Sequence, residues 1–186
     1  MIFRAVEDAD LIRKARRGDM DAYNVLISRW EKRVFNYLLR IVVNREDALD
    51  LTQDVFLKAY QNLKRLEETD RFAPWLYRIA HNEAISLFRK RKPESDADVP
   101  EESVGEITIA GSSVYPVELA LAVGAALERL SPDQREVVML KVYQGFKFDE
   151  IAEILSCPVS TVKSRLYTAL DLLKNDLAPV KARGIS

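Results

Sequence analysis

Side chains able to do covalent or metal chemistry are nearly absent from this sequence. It holds one cysteine, Cys157, and one histidine, His81. A lone thiol cannot close an intrachain disulfide, and with one imidazole it cannot build a zinc cluster. The same two counts remove Cys/His nucleophilic catalysis and most metalloenzymes. Cys157 adjoins Pro158 and has no cation next to it in sequence, so it reads as a small packing residue rather than a low-pKa nucleophile. No cofactor and no metal is expected, and no enzymatic activity. What the sequence offers instead is polar faces at helical spacing, which suit recognition.

Three such faces emerge at about 100° per residue. Near the C-terminal end, Ser160, Thr161, Ser164 and Thr168 point one way, flanked by Lys163, Arg165 and Tyr167. Val162, Leu166, Ala169, Leu170 and Leu173 gather on the opposite, apolar arc. Hydroxyls reach base edges or phosphates and arginine bridges guanine, so the arrangement suits a major groove; a solvated helix face would carry the same pattern. On a second face Trp75, Arg78, Asn82, Ser86 and Arg89 lie opposite Leu76, Ala80, Ala84 and Leu87. A tryptophan and an asparagine bracketed by arginines can stack on unpaired bases, bond their edges and hold phosphates. The run Arg89-Lys90-Arg91-Lys92 adds sequence-independent phosphate neutralisation. A half-buried tryptophan among surface cations would look alike. On a third face Asp50, Gln53, Asp54, Leu57 and Gln61 stand opposite Ala48, Thr52, Val55, Phe56, Ala59 and Leu63, which sets a leucine among acids and amides. Single exposed leucines are also common on surfaces that bind nothing.

The elements that must position these faces are all helical. The 186 residues are 48% hydrophobic, enough for one ordinary domain or two small ones and too apolar for a disordered tail. No apolar run approaches a membrane span, and the opening MIFRAVEDAD is acidic rather than signal-like, so a cytoplasmic protein with no membrane insertion of its own is expected. The formal net charge of −1 hides an uneven distribution. Residues 1–92 carry 19 basic and 14 acidic side chains, residues 93–115 carry six acids and no base, and residues 116–186 carry nine of each. The segment 93–116, rich in Pro, Gly, Ser and acids without a sustained period, reads as a flexible tether between domains at 1–92 and 117–186. Only Ile107–Ala110 within it could form a short strand.

In the first domain Asp8 is placed to cap a short helix that stops at Gly18. Asp19 caps a long one with Tyr23, Leu26, Ile27, Trp30, Val34, Leu38 and Ile41 on its stripe. A third helix is expected from about Glu46 to Leu63 and a fourth from Pro74 to about Lys90, where Glu83 falls inside the apolar arc and needs a partner. In the second domain a helix covers roughly 117–130. Ser131-Pro-Asp-Gln134 is a capping box for a helix ending at Gly145, and helices at about 148–155 and 159–175 have helix-turn-helix proportions.

At this point three segments become familiar. Phe148-Asp-Glu-Ile-Ala-Glu-Ile-Leu155 with Pro158-Val-Ser-Thr-Val-Lys-Ser-Arg-Leu166 resembles the promoter-reading C-terminal domain of bacterial sigma factors. Asp47-Ala-Leu-Asp-Leu-Thr-Gln-Asp-Val-Phe56 and Phe72-Ala-Pro-Trp-Leu-Tyr-Arg-Ile-Ala-His-Asn82 resemble segments of the N-terminal sigma domain. Their order and the short linker are similar to the extracytoplasmic-function group. The resemblance implies that Asp50, Gln53, Asp54 and Leu57 bind core RNA polymerase at the clamp coiled coil of its largest subunit. It implies that Trp75, Arg78, Asn82, Ser86, Arg89, Lys90 and Arg91, with the loop Lys64–Phe72, recognise and melt the −10 element of promoter DNA, one base being flipped into a pocket formed partly by that loop. It implies that Ser160, Thr161, Lys163, Ser164, Arg165, Tyr167 and Thr168 read the −35 element, and that an anti-sigma factor controls the protein. The chain departs from the family at several positions. Asp54 stands where Glu is frequent, Ser156 and Ser160 where Gly is common, Thr168 where Arg is frequent, and Lys147 where a Ser/Thr cap is usual; the loop at 66–72 is more acidic. Two other classes remain: a stand-alone helix-turn-helix regulator, which leaves the second and third faces unexplained, and an all-α adaptor, which leaves Arg89–Lys92 unexplained.

Overall fold

A computed structural model describes residues 7–91 and 117–183, with side chains for 7–91 and 123–177. The segment 93–116, including Ile107–Ala110, lies outside the described residues. Every regular element among them is helical. The chain divides into two compact units, Met1–Glu101 and Glu102–Ser186, and the division falls within the expected tether.

In the first unit, helix α1 (Asp8–Arg16) buries Leu11, Ile12 and Ala15 against α2 (Met20–Val42). Asp8 does not cap α1. It is the first helical residue, and its carboxylate accepts from Trp30 Nε1 at 2.9 Å and Arg29 Nη1 at 2.7 Å. An indole and a guanidinium brought over from α2 outcompete the local amides, which a reading of local sequence cannot anticipate. Asp19 does cap α2, accepting from Ala22 N at 3.0 Å. Of the expected stripe Tyr23, Leu26, Val34 and Leu38 are buried while Ile27, Trp30 and Ile41 are half-buried, and Ala22, Tyr37 and Val42 join the core. Val43 ends α2 in the left-handed region at φ 63°, an uncommon place for a β-branched residue. Asn44 then caps α3 (Arg45–Asn62), which buries Ala48, Leu51, Val55, Phe56 and Ala59.

Two single 3-10 turns, Leu63–Arg65 and Thr69–Arg71, carry the chain from α3 to α4 (Phe72–Arg91), with Leu66 buried between them. Helix α4 starts at Phe72, two residues before Pro74. The proline is still within the first turn, where an amide has no intrahelical acceptor. Leu76, Ala80 and Ala84 are buried as expected, Leu87 is half-buried, and Phe72, Pro74 and Tyr77 join the core. The rings of Tyr37 and Tyr77 meet at 5.0 Å. Glu83 has the partner it needs: its Oε1 accepts from Lys58 Nζ at 2.5 Å, fastening α4 to α3.

In the second unit, α5 (Val117–Glu128) is followed by α6 (Pro132–Val138), whose capping box is formed: Gln134 N donates to Ser131 Oγ and Ser131 N to Gln134 Oε1. Arg135 closes the end of α5 by donating to the Leu127 and Glu128 carbonyls at 3.0 and 2.8 Å. The helix expected to run to Gly145 widens into a π-turn over Met139–Tyr143. Gly145 then turns the chain at φ +77°. Helix α7 (Phe148–Leu155) starts without a side-chain cap at Lys147, but Glu150 reaches back to accept from the Lys147 amide at 2.7 Å. Ser156 takes the left-handed turn position at φ 51°. Helix α8 (Val159–Arg183) packs on α5, α6 and α7 through Val162, Leu166 and Ala169. Its apolar arc is narrower than expected: Leu170 is 41% exposed and Leu173 half-buried.

Candidate nucleic-acid and partner interfaces

Helix α8 fixes the last face by what it buries. With Val162, Leu166 and Ala169 turned into the core, Ser160, Lys163, Ser164, Tyr167 and Thr168 are all exposed on the outward side, Tyr167 the most prominent aromatic at 57%. Lys163 does not hang free, since its Nζ sits 5.5 Å from the centroid of the Phe148 ring, and Lys141 Nζ lies 4.7 Å from the same centroid. A cation seated on an aromatic face loses less freedom on meeting a phosphate. Thr161 and Arg165 differ from the rest of the set, being half-buried. Arg165 lies about 60° around the helix from Val162, on the flank of the core arc. Its guanidinium is ion-paired with Asp133 of α6. Arg165 therefore couples α8 to α6 before it meets any ligand. Beside it, burial pushes the Cys157 thiol above its ordinary pKa, with the Arg165 charge opposing. A thiol held protonated and half-buried is a packing group.

The α4 face is mixed in exposure. Arg78, Asn82, Arg89 and Lys90 are exposed, while Trp75 and Ser86 are half-buried. Trp75 leans on Phe72 with ring centroids 5.9 Å apart, so one edge is fixed and the rest is open to a stacking partner. Arg91 differs from its neighbours in having both Nη atoms on the Asp47 carboxylate at 2.6 Å. The pair ties the end of α4 to the start of α3 and makes Arg91 a weaker candidate for phosphate than Arg89 or Lys90. Under this face Tyr77 is fully buried. Burial raises its phenol well above the ordinary value, with the Arg33 charge opposing.

On α3 the structure brings Asp50, Gln53, Asp54 and Leu57 together on the exposed side, Leu57 at 56% exposure. Two residues not on the sequence-based set belong beside them. Leu49 and Tyr60 are 44% and 37% exposed, one turn before Gln53 and one turn after Leu57. The spacing 49, 53, 57, 60 carried that signal, but each apolar residue taken singly looks like any other core candidate. Among the described residues, no group of three or more His, Cys, Asp or Glu could hold a metal, and no helix is long and apolar enough to cross a membrane.

Comparison with known proteins finds matches for both units of the chain. The family model described as Sigma-70 region 2 matches residues 26–94, and that described as Sigma-70, region 4 matches residues 120–173. The chain is 34% identical to the ECF RNA polymerase sigma-E factor of Escherichia coli K12, over 95% of this chain and 97% of that protein. It is 31% identical to the sigma-E factor of Haemophilus influenzae, over 93% of this chain and 96% of that one. Among solved structures it is similar to the sigma factor RpoE of Bartonella quintana, determined with the anti-sigma factor NepR, at TM-score 0.70 and 28% identity over 84% of this chain and 96% of that one. It is also similar to CnrH, determined with the cytosolic domain of CnrY, at TM-score 0.66 and 26% identity over 92% of this chain and 97% of that one.

Proposed function

The chain belongs to the sigma-70 family, in the extracytoplasmic-function group, and from that premise we propose how an alternative sigma factor divides its work among these three faces. The α3 face of Asp50, Gln53, Asp54 and Leu57, widened by Leu49 and Tyr60, docks on core RNA polymerase at the clamp coiled coil of the largest subunit. The outward side of α8 reads the −35 element, with Lys163, Ser164, Tyr167 and Thr168 toward the groove, Ser160 and Thr161 at its entry and Arg165 at its edge. The α4 face opens the −10 element: Trp75 stacks on an unpaired base, Asn82 bonds a base edge, and Arg78, Arg89 and Lys90 hold phosphates, with Ser86 between them.

The observation that carries this reading is α4 itself. Six of its residues are buried, and the opposite side presents Trp75, Arg78, Asn82 and Arg89 on a helix anchored by that burial. Melting without nucleotide hydrolysis needs captured bases to offset an unstacking cost of a few kcal/mol per step, and only preorganised partners supply that. Residues 1–92 and 117–186 act as two DNA-engaging domains, with 93–116 as the tether between them. The chain does its work in the cytoplasm, where the polymerase is, and contributes no catalysis of its own, because phosphodiester chemistry belongs to the polymerase. The solved relatives were held by an anti-sigma factor or a cytosolic partner domain, and an anti-sigma factor is the expected restraint here too.

Run-off transcription tests the whole reading. Purified core enzyme plus this chain should give a discrete transcript from a −35/−10 promoter, and core enzyme alone should not. A stand-alone helix-turn-helix regulator would bind the promoter and leave core enzyme inert.

A further inference from the structure

The loop Lys64–Phe72, for which the family resemblance implies base capture, leaves α3 through Leu63, and α1 holds both of its ends. At the first end, the Leu63 carbonyl accepts from Arg16 Nε at 3.1 Å as well as from the Leu66 amide at 3.3 Å. The Arg16 guanidinium is sunk into the unit, its Nη2 shut off from solvent and without a hydrogen-bond partner among the described residues. At the other end, the hold is indirect. Asp8 accepts from Trp30 Nε1 at 2.9 Å and is neutralised by Arg29 at 2.7 Å. Trp30 then meets Phe72 edge-on at 6.0 Å, and Phe72 leans on Trp75 at 5.9 Å. Between the two anchors α1 packs against both 3-10 turns of the loop. Asp8 and Arg16 are the first and last residues of α1, about 12 Å apart along a helix that does not stretch.

We propose that α1 is a brace that sets the span and pose of the base-trapping loop, with Arg16 and Asp8 as positioning residues for promoter opening. Neither touches DNA. Arg16 fixes where the loop leaves α3. Asp8 fixes the Trp30 ring, and through it Phe72 and the pose of the Trp75 ring. A loop released at either end still binds duplex DNA, but it presents its pocket to the extruded base in many poses, and capture weakens accordingly. This inference rests on the melting role assigned to α4 and on the base capture that the family resemblance implies for the loop before it.

The test uses holoenzyme assembled from core polymerase and the full chain on a −35/−10 promoter duplex. Arg16→Lys keeps the charge and removes the planar Nε–H fork. It should leave core affinity and closed complex within about twofold of wild type and reduce permanganate-reactive open complex by about tenfold, the scale of one lost charge-assisted hydrogen bond. Asp8→Ala should act in the same direction, and Asp8→Asn, which can still accept from the indole, should recover part of the loss. The readout that a purely structural role would not move is base choice. In Arg16→Lys the ratio of opening on the preferred −10 sequence to opening on a promoter with the trapped base replaced should fall toward one. If opening and base choice both stay at wild-type level, the brace does not act on the loop. If core binding, closed complex and thermal stability fall together with opening, and base choice is kept, α1 serves folding alone. Trp75→Ala separates this inference from its premise: if it leaves opening intact, the melting assignment falls and the brace with it. If it impairs opening and Arg16→Lys does not, only the brace falls.

Discussion

The α3 face makes the sharpest demand, because it separates a sigma factor from a simple DNA binder. Leu57 is 56% exposed on a helix whose opposite side buries Ala48, Val55, Phe56 and Ala59, so trimming it to alanine should leave the fold untouched. Exposed substitutions of this kind move stability by no more than about 0.5 kcal/mol. Full burial of a leucine is worth about 1.5–3 kcal/mol, and roughly half of that remains available at Leu57. Leu57→Ala should therefore weaken core polymerase binding by about 1 kcal/mol, close to fivefold in Kd. Asp54→Lys places a cation before groups arranged for an anion and should cost about 2 kcal/mol or more. The two positions are one helical turn apart and share the partner surface, so the double variant need not be additive. Salt distinguishes the two causes, since the Asp54→Lys defect should shrink as ionic strength rises and the Leu57→Ala defect should not. The assay is fluorescence anisotropy of labelled full-length chain titrated with core enzyme across a salt series, with helicity and Tm measured in parallel. A double variant that folds normally and binds core enzyme like wild type would show that this face is merely solvated, and the docking surface would lie elsewhere.

Four further outcomes are expected. Lys163→Ala should weaken binding to all −35 sequences alike and lower the salt slope by about one, whereas Arg165→Ala should act partly through α6. A double-mutant cycle of Arg165 with Asp133 measured by thermal unfolding should reveal coupling of no more than about 1 kcal/mol, and zero coupling would remove the ion pair as a strut. Val43→Gly and Ser156→Gly should each stabilise by up to about 1 kcal/mol. The left-handed conformation costs a side-chain-bearing residue about 1–2 kcal/mol, and the greater freedom of glycine in the unfolded chain returns part of the gain; a lowered Tm would refute the strain. In alkali, Tyr23 and Tyr77 should titrate late, since burial raises both phenols in the folded chain. With folded pKa above unfolded, their stabilisation is complete below about pH 10 and is lost as pH climbs beyond it. Phenolate absorbance should thus show the Tyr23 and Tyr77 signal appearing together with loss of helicity, and early, independent ionisation of both would contradict the burial.

The sequence by itself determined what depends on nearest neighbours along the chain and on helical period. It named the Asp19 and Ser131 caps, the breaks at Gly18 and Gly145, the buried stripe of α2, and the outward sides of α3, α4 and α8, because side chains at i, i+3, i+4 and i+7 share a face whatever the helix packs against. It also flagged Glu83, inside the apolar arc of α4, as a charge that would need a partner if buried, without being able to say that Lys58 of α3 supplies it. What only the tertiary structure decided are pairings across elements. Asp8 passed from a local cap to Trp30 and Arg29, and the fold alone decided that Arg91 meets Asp47 and that Arg165 meets Asp133 on the flank of the core. The π-turn over Met139–Tyr143 and the exposure of Leu170 belong to the same class. The physical reason is common to all of them. A charged or amphipathic side chain has several partners of similar strength within reach, and which one it takes is set by which helix the fold brings within about 3 Å, information that the local period does not carry.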